Sequence, residues 1–129
     1  MFSPIDIDHF KTINDDSGHD AGDAALVKFS HACQRQLRAS DRLGRFGGEE
    51  FLLVMPGSDT SRIAGVFARF HNALASLEIV ELPAQQKLTF SMGATAAKGA
   101  RDSLNDVIKR ADEALYRAKQ LGRDRFEIG

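Results

Sequence analysis

The chain has 129 residues, 43% hydrophobic and 27% charged, with a formal net charge of -1. That length supports a single domain with a sizeable core, and that charge balance gives no polyelectrolyte signal, so a nucleic-acid backbone is not an implied partner. The lone Cys33 excludes a disulfide framework or thiolate metal centre; no apolar run could cross a bilayer and no signal peptide is recognisable, so a cytoplasmic setting is expected.

Ile5-Asp6-Ile7-Asp8-His9-Phe10 alternates apolar and polar residues, which predicts a strand with Ile5 and Ile7 on one face. Asp6 and Asp8 then share the other face. Pro4 lacks an N–H and is expected at the first residue of this strand or on an edge. Lys11 to Asp23 is polar and is expected to hold a short helical turn followed by a loop. A helix is predicted over Ala24 to Arg38, with Leu26, Phe29, Cys33 and Leu37 on one face and Asp23 placed to cap it.

Asp41 to Phe46 and Glu49 to Met55 read as the arms of a hairpin. Between them stand Gly47 and Gly48, expected to form a type I′ turn because both central residues of that turn need positive φ. Pro56-Gly57-Ser58-Asp59 ends the second arm, and Ser61 to Leu77 is the next predicted helix. A loop over Leu82 to Gln86 leads to a strand over Lys87 to Ala96, in which Leu88, Phe90, Met92 and Ala94 alternate. The clearest helix runs from Ser103 to Leu121, where Ser103 and Asp106 resemble a capping box. Its buried stripe is expected to be Leu104, Val107, Ile108, Ala111, Leu115 and Ala118, and Gly122 ends it. Arg125 to Ile128 closes the chain as a short strand. The predicted order is β-α-α-β-β-α-β-α-β, an α+β domain with helices covering a largely antiparallel sheet.

Three constellations could carry chemistry. Asp6 and Asp8 on one strand and Glu49 and Glu50 at the hairpin turn could converge if the strands are neighbours. Carboxylates that close repel, and hard oxygen ligands without His or Cys favour magnesium or manganese. The same acids can equally be solvated surface groups. Lys119 and Arg123 lie four apart at the end of the last helix and could clamp phosphate, or could simply complement the helix dipole. Arg38 and Asp41, three apart, could bind a base and a phosphate together or form a local ion pair.

Gly47-Gly48-Glu49-Glu50-Phe51 resembles the signature of the GGDEF family, the diguanylate cyclases, in its GGEEF form. Asp6 to Asp15 resembles the family's first strand and following segment, and Ser17 to Asp23 its next block. Arg110 to Tyr116, with Ala118-Lys119 and Gly122-Arg123, resembles its last helix. The blocks stand in order over nearly the whole chain, so residues 1–129 are read as one GGDEF domain. It lacks the helix that family members usually carry before the first strand, which could leave an apolar patch exposed. The resemblance implies a nucleotidyl-cyclase, polymerase-palm-like (ferredoxin-like) fold.

The resemblance also implies that two GTP molecules condense to cyclic di-GMP in a two-fold homodimer, each copy holding one GTP. It assigns Asp6, Glu49 and the Ile7 carbonyl to Mg2+ (Mn2+ is the alternative), with Glu50 adding to the acidic site. Glu49, Glu50, Asp6 and Lys11 form the implied catalytic set, Glu49 being proton acceptor or metal-bound assistant. Asn14 and Asp23 would read the guanine edge. Lys11, Lys119 and Arg123 would bind the triphosphate, backbone amides near His9 and Phe10 would cradle it, and Gly47 and Gly48 would let the nucleotide approach closely. Arg45 is a further phosphate or partner contact. Arg38 and Asp41 resemble the family's RxxD product-inhibition site, with Arg69 as a secondary contact. A non-catalytic module that binds cyclic di-GMP or GTP is the second hypothesis, and neither reading calls for nucleic acid or, in this segment, a membrane.

Overall fold

The computed structural model describes residues 1–129. The elements are β1 (Phe2–Ile7), α1 (Phe10–Ser17), α2 (His19–Gln34), β2 (Arg42–Gly47), β3 (Glu50–Val54), α3 (Ile63–Ala75, entered through a 3-10 turn at Thr60–Arg62), β4 (Phe90–Ala94), α4 (Leu104–Gln120) and β5 (Phe126–Ile128). This is the predicted order. The strands form one sheet, β2-β3-β1-β4-β5, antiparallel throughout except for the parallel β4–β5 pair.

The first strand departs from expectation. It begins at Phe2 and lies at the centre of the sheet, with Pro4 in its middle opposite Leu52. Phe2 exchanges backbone hydrogen bonds with Thr95, and Asp8 donates to Thr89, so even-numbered residues of β1 turn their backbone groups toward β4. Pro4 therefore has its missing donor on the β4 side, where the ladder is interrupted between the Phe2–Thr95 bridge and the Ile5–Met92 pair. The Ser3 hydroxyl fills the gap by donating to the Gly93 carbonyl. A central strand tolerates proline here because a neighbouring side chain supplies the lost donor.

The helical boundaries also differ. The polar stretch after β1 is helical almost throughout, broken only at Gly18, whose φ of 91° an L-residue rarely adopts. Asp23 therefore sits in the second turn of α2 and caps nothing. The strand predicted from Lys87 is ordered as β4 only from Phe90. At α4 the capping box is present in full: Ser103 accepts from the Asp106 N–H and Asp106 from the Ser103 N–H.

Alternation along β1 splits the molecule into two faces. Ile5 and Ile7 join Phe51, Leu53, Phe90 and Met92 against Phe29 of α2 and Val66 and Phe70 of α3. The Phe29 ring lies 5.0 Å from Phe51 and 5.6 Å from Phe90, at tilted and edge-on angles that favour the pairs. Cys33 is part of this core, where burial pushes its thiol pKa far up and keeps it inert. On the other face α4 packs so closely over β4 that a side chain at Gly93 would meet the Ala111 carbonyl and Leu115 N–H. Val107, Ala111, Ala114, Leu115 and Ala118 are buried there, whereas Leu104, expected in the stripe, is 68% exposed. Leu104 and Ile108 instead border an open apolar groove of about 460 Å³, shared with Phe2, Pro4, Phe46 and Leu52.

Candidate active site

The site forms where β1 ends and α1 begins. Asp6 is the last polar residue of β1 and pairs in register with Glu50 of β3. Glu49 occupies the hairpin turn, and its carbonyl accepts the Ile7 N–H at 3.3 Å. The chain reverses at His9, which holds φ 56° to enter α1, and its carbonyl accepts the Ile13 N–H. The N–H groups of Phe10, Lys11 and Thr12 precede the first intrahelical bond and so remain free for a ligand. Those residues line a cavity of about 260 Å³ together with Asp6, Ile7, His9, Glu49, Lys119 and Arg123. The predicted metal and phosphate residues are thus brought together.

The two basic residues arrive from α4. The Lys119 ammonium pairs with the Asp6 carboxylate. Arg123 follows Gly122 (φ 117°) in a left-handed turn, with φ 61°, fixed by its N–H donating to the Ala118 carbonyl at 3.0 Å. Burial raises the Asp6 pKa above the ordinary carboxylate value, Lys119 opposing this and Glu49 and Glu50 adding to it.

Asp8 also lines this cavity, but its carboxylate is engaged by the protein itself rather than free to share a cation with the other acids. Its carboxylate accepts from Thr89 Oγ1 and Ser91 Oγ, each at 2.7 Å, and from the Asp124 N–H at 3.0 Å. It is a buried brace that fixes the turn carrying Arg123, a role alternation alone could not reveal because its partners lie over 80 residues away. No three His, Cys, Asp or Glu side chains are grouped to surround a cation. Asp6, Glu49 and the Ile7 carbonyl still fit a small hard cation, which is held by one or two carboxylates plus substrate phosphates rather than by an all-protein cage. Thr12, not singled out from sequence, lines the cavity as the third residue of the α1 N-terminus.

The remaining predicted residues lie around this cavity or away from it. Asn14 is one turn along α1 from Phe10, and its buried Oδ1 has no hydrogen-bond partner. Asp23 is exposed on α2, which packs against α1. Gly47 and Gly48 do not have the positive φ of the expected type I′ turn, and β2 carries a register shift between Arg45 and Gly47. Nothing lies within 4 Å of a side chain built at Gly48, so the fold itself does not demand glycine there. Arg45 turns back onto the hairpin, its Nε donating to the Gly48 carbonyl at 2.9 Å.

Arg38 and Asp41 stand apart, beside a second cavity of about 290 Å³. Asp41 Oδ2 accepts from the Arg38 N–H at 2.9 Å and the Arg38 guanidinium at 3.5 Å, while Arg38 Nη2 donates to Ser58 Oγ at 2.8 Å. Asp41 Oδ1 is buried without a partner. Arg69, exposed on α3, lines neither cavity.

Comparison with known proteins places these residues in context. The family described as "Diguanylate cyclase, GGDEF domain" matches residues 1–125. The probable diguanylate cyclase DgcC of Escherichia coli K12 is 42% identical over 124 residues, 96% of this chain but 33% of that protein. The chain thus spans about a third of that relative. Among solved structures, the active GGEEF domain of a diguanylate cyclase from Vibrio cholerae has a TM-score of 0.83 at 29% identity, covering 98% of this chain and 80% of that one. The GGDEF domain of DgcB from Caulobacter crescentus, in complex with c-di-GMP, has a TM-score of 0.81 at 27% identity, covering 98% and 75%.

Proposed function

This chain belongs to the GGDEF family, and from that premise we propose that it condenses two GTP molecules into cyclic di-GMP with release of two pyrophosphates. One observation carries the reading: Asp6, Glu49, Lys119, Arg123 and the free amides of α1 converge on one cavity. Acids beside bases and helix N–H groups suit a polyphosphate with its cation.

Lys11, Lys119, Arg123 and the α1 amides hold the triphosphate, Arg123 in a forked geometry. Asp6, Glu49 and the Ile7 carbonyl would hold magnesium or manganese, which would supply a lowered 3′-hydroxyl pKa and charge compensation at the α-phosphate. Each 3′-hydroxyl attacks the α-phosphorus of the other GTP, the bond to pyrophosphate breaks, and Glu49 takes the hydroxyl proton. Glu50 keeps the acidic field that favours cation binding. Asn14 and Asp23 accept from guanine N1–H and the 2-amino group, donors that the adenine edge lacks. Gly47 and Gly48 leave room for the nucleotide, with Arg45 bracing their turn.

Each chain is half of the site, and a two-fold homodimer presents two GTP molecules to each other. Residues 1–129 act as one catalytic domain, working in the cytoplasm where GTP is supplied. Arg38 and Asp41, with Arg69 as a secondary contact, bind cyclic di-GMP and restrain turnover.

The separate Arg38–Asp41 cavity, with its unpartnered Asp41 Oδ1, also favours a second reading, a receptor that binds cyclic di-GMP without making it. Incubating the purified chain with GTP and magnesium and separating the nucleotides decides between them. Cyclic di-GMP that disappears in Glu49→Gln is the expected result. No product, together with micromolar cyclic di-GMP binding lost in Arg38→Ala, would replace the cyclase with the receptor.

A further inference from the structure

Gly22 lies inside α2, where an alanine would ordinarily strengthen the helix. Its surroundings explain why a side chain is absent. A β-carbon built there would lie 1.8 Å from Asn14 Oδ1, 2.9 Å from Asn14 Cγ and 3.1 Å from Phe10 Cζ. The Asn14 carboxamide therefore occupies the volume that any other residue at position 22 would fill. The same Oδ1 is buried and has no hydrogen-bond partner within the protein. A polar group pressed that closely against a helix backbone, yet left unpaired, is held for something other than the fold. Gly22 also immediately precedes Asp23 on α2, so it governs how near α1 brings Asn14 to Asp23.

We infer that Gly22 is a positioning residue for base selection: its missing side chain seats the Asn14 carboxamide against α2 and sets the spacing of the Asn14–Asp23 pair. The inference rests on the reading that this pair contacts guanine. A methyl group at position 22 drives the Asn14 carboxamide out of its seat, while Asp6, Glu49, Lys119 and Arg123 stand on β1, the hairpin and the end of α4, away from the clash, and keep their own supports. The loss falls on discrimination between bases rather than on triphosphate affinity.

A double-mutant cycle tests this, using α,β-methylene analogues of GTP and ATP, which cannot release pyrophosphate. Affinity for both analogues and thermal unfolding are measured for wild type, Gly22→Ala, Asn14→Ala and the double variant. Gly22→Ala is expected to lose about tenfold in affinity for the GTP analogue, near 1.4 kcal/mol, with affinity for the ATP analogue unchanged. In the Asn14→Ala background the same substitution costs no further affinity and raises the unfolding temperature, because the clash is gone and only helix propensity remains. If Gly22→Ala does not fold, recovery of folding in the double variant carries the steric half of the inference. A double variant that also fails to fold overturns it, placing the constraint at Phe10. Additive losses in the cycle, or a Gly22→Ala chain that discriminates like wild type while Asn14→Ala does not, overturn the inference alone. A wild-type chain that binds neither analogue overturns the nucleotide reading itself.

Discussion

Asp6 and Lys119 show how much of the site is decided by single side chains. The acid is 4% exposed, and its charge is tolerated there because an ammonium from the far end of the chain reaches it. Sequence spacing made both residues candidates but could not pair them, since 113 positions separate them. The glycine pair at the hairpin was legible as a signature and misread as geometry. Without positive φ or a crowded neighbour at Gly48, nothing internal requires glycine there. Gly48→Ala is therefore expected to change stability by less than about 0.5 kcal/mol while lowering cyclic di-GMP formation at least tenfold. Equal losses in unfolding temperature and turnover would show that the glycine serves the fold instead.

Among the elements, α4 was the most legible and the α1–α2 region the least. The capping box, the small buried residues and Gly122 all signal α4 locally, so its boundaries follow from the sequence. The α1–α2 break depends on one positive-φ residue, Gly18, inside a polar run that offers no apolar period to read. Proline in β1 misled for a related reason: its tolerance comes from Ser3 reaching Gly93, a long-range contact. The loop between β4 and α4 is held against α4 by Arg110, which donates to both Asp102 oxygens at 2.7 and 2.5 Å and to the Ala96 carbonyl at 3.0 Å. The guanidinium holds the Asp102 carboxyl at about 2, below its ordinary 3.8. A carboxyl whose folded pKa is depressed stabilises the fold above its unfolded value, and that stability is lost as pH falls through the folded one. Asp102→Asn should therefore unfold at a lower temperature than wild type at pH 7, with the gap closing between pH 4 and pH 2. A gap that stays constant over that range would assign the effect to packing.

At the scale of the whole molecule, the sheet is covered unevenly. The face toward α2 and α3 is a closed core, whereas α4 covers only part of the other and leaves the groove beside Phe46 and Tyr116 open. The expected fold class and element order were readable because each buried face is periodic. The central position of β1 was not, because pairing is a property of the assembled sheet. The same limit applies to the proposed reaction, in which each copy would hold one GTP and two copies would have to meet. The proposal that this domain is half of an active site is tested most directly by mixing wild type with Glu49→Gln at constant total protein, letting the copies exchange, and measuring cyclic di-GMP formed from GTP and magnesium. Two competent halves are required for ring closure, so the rate is expected to fall as the square of the wild-type fraction. A rate that falls in simple proportion to that fraction would contradict the shared site and make each chain self-sufficient.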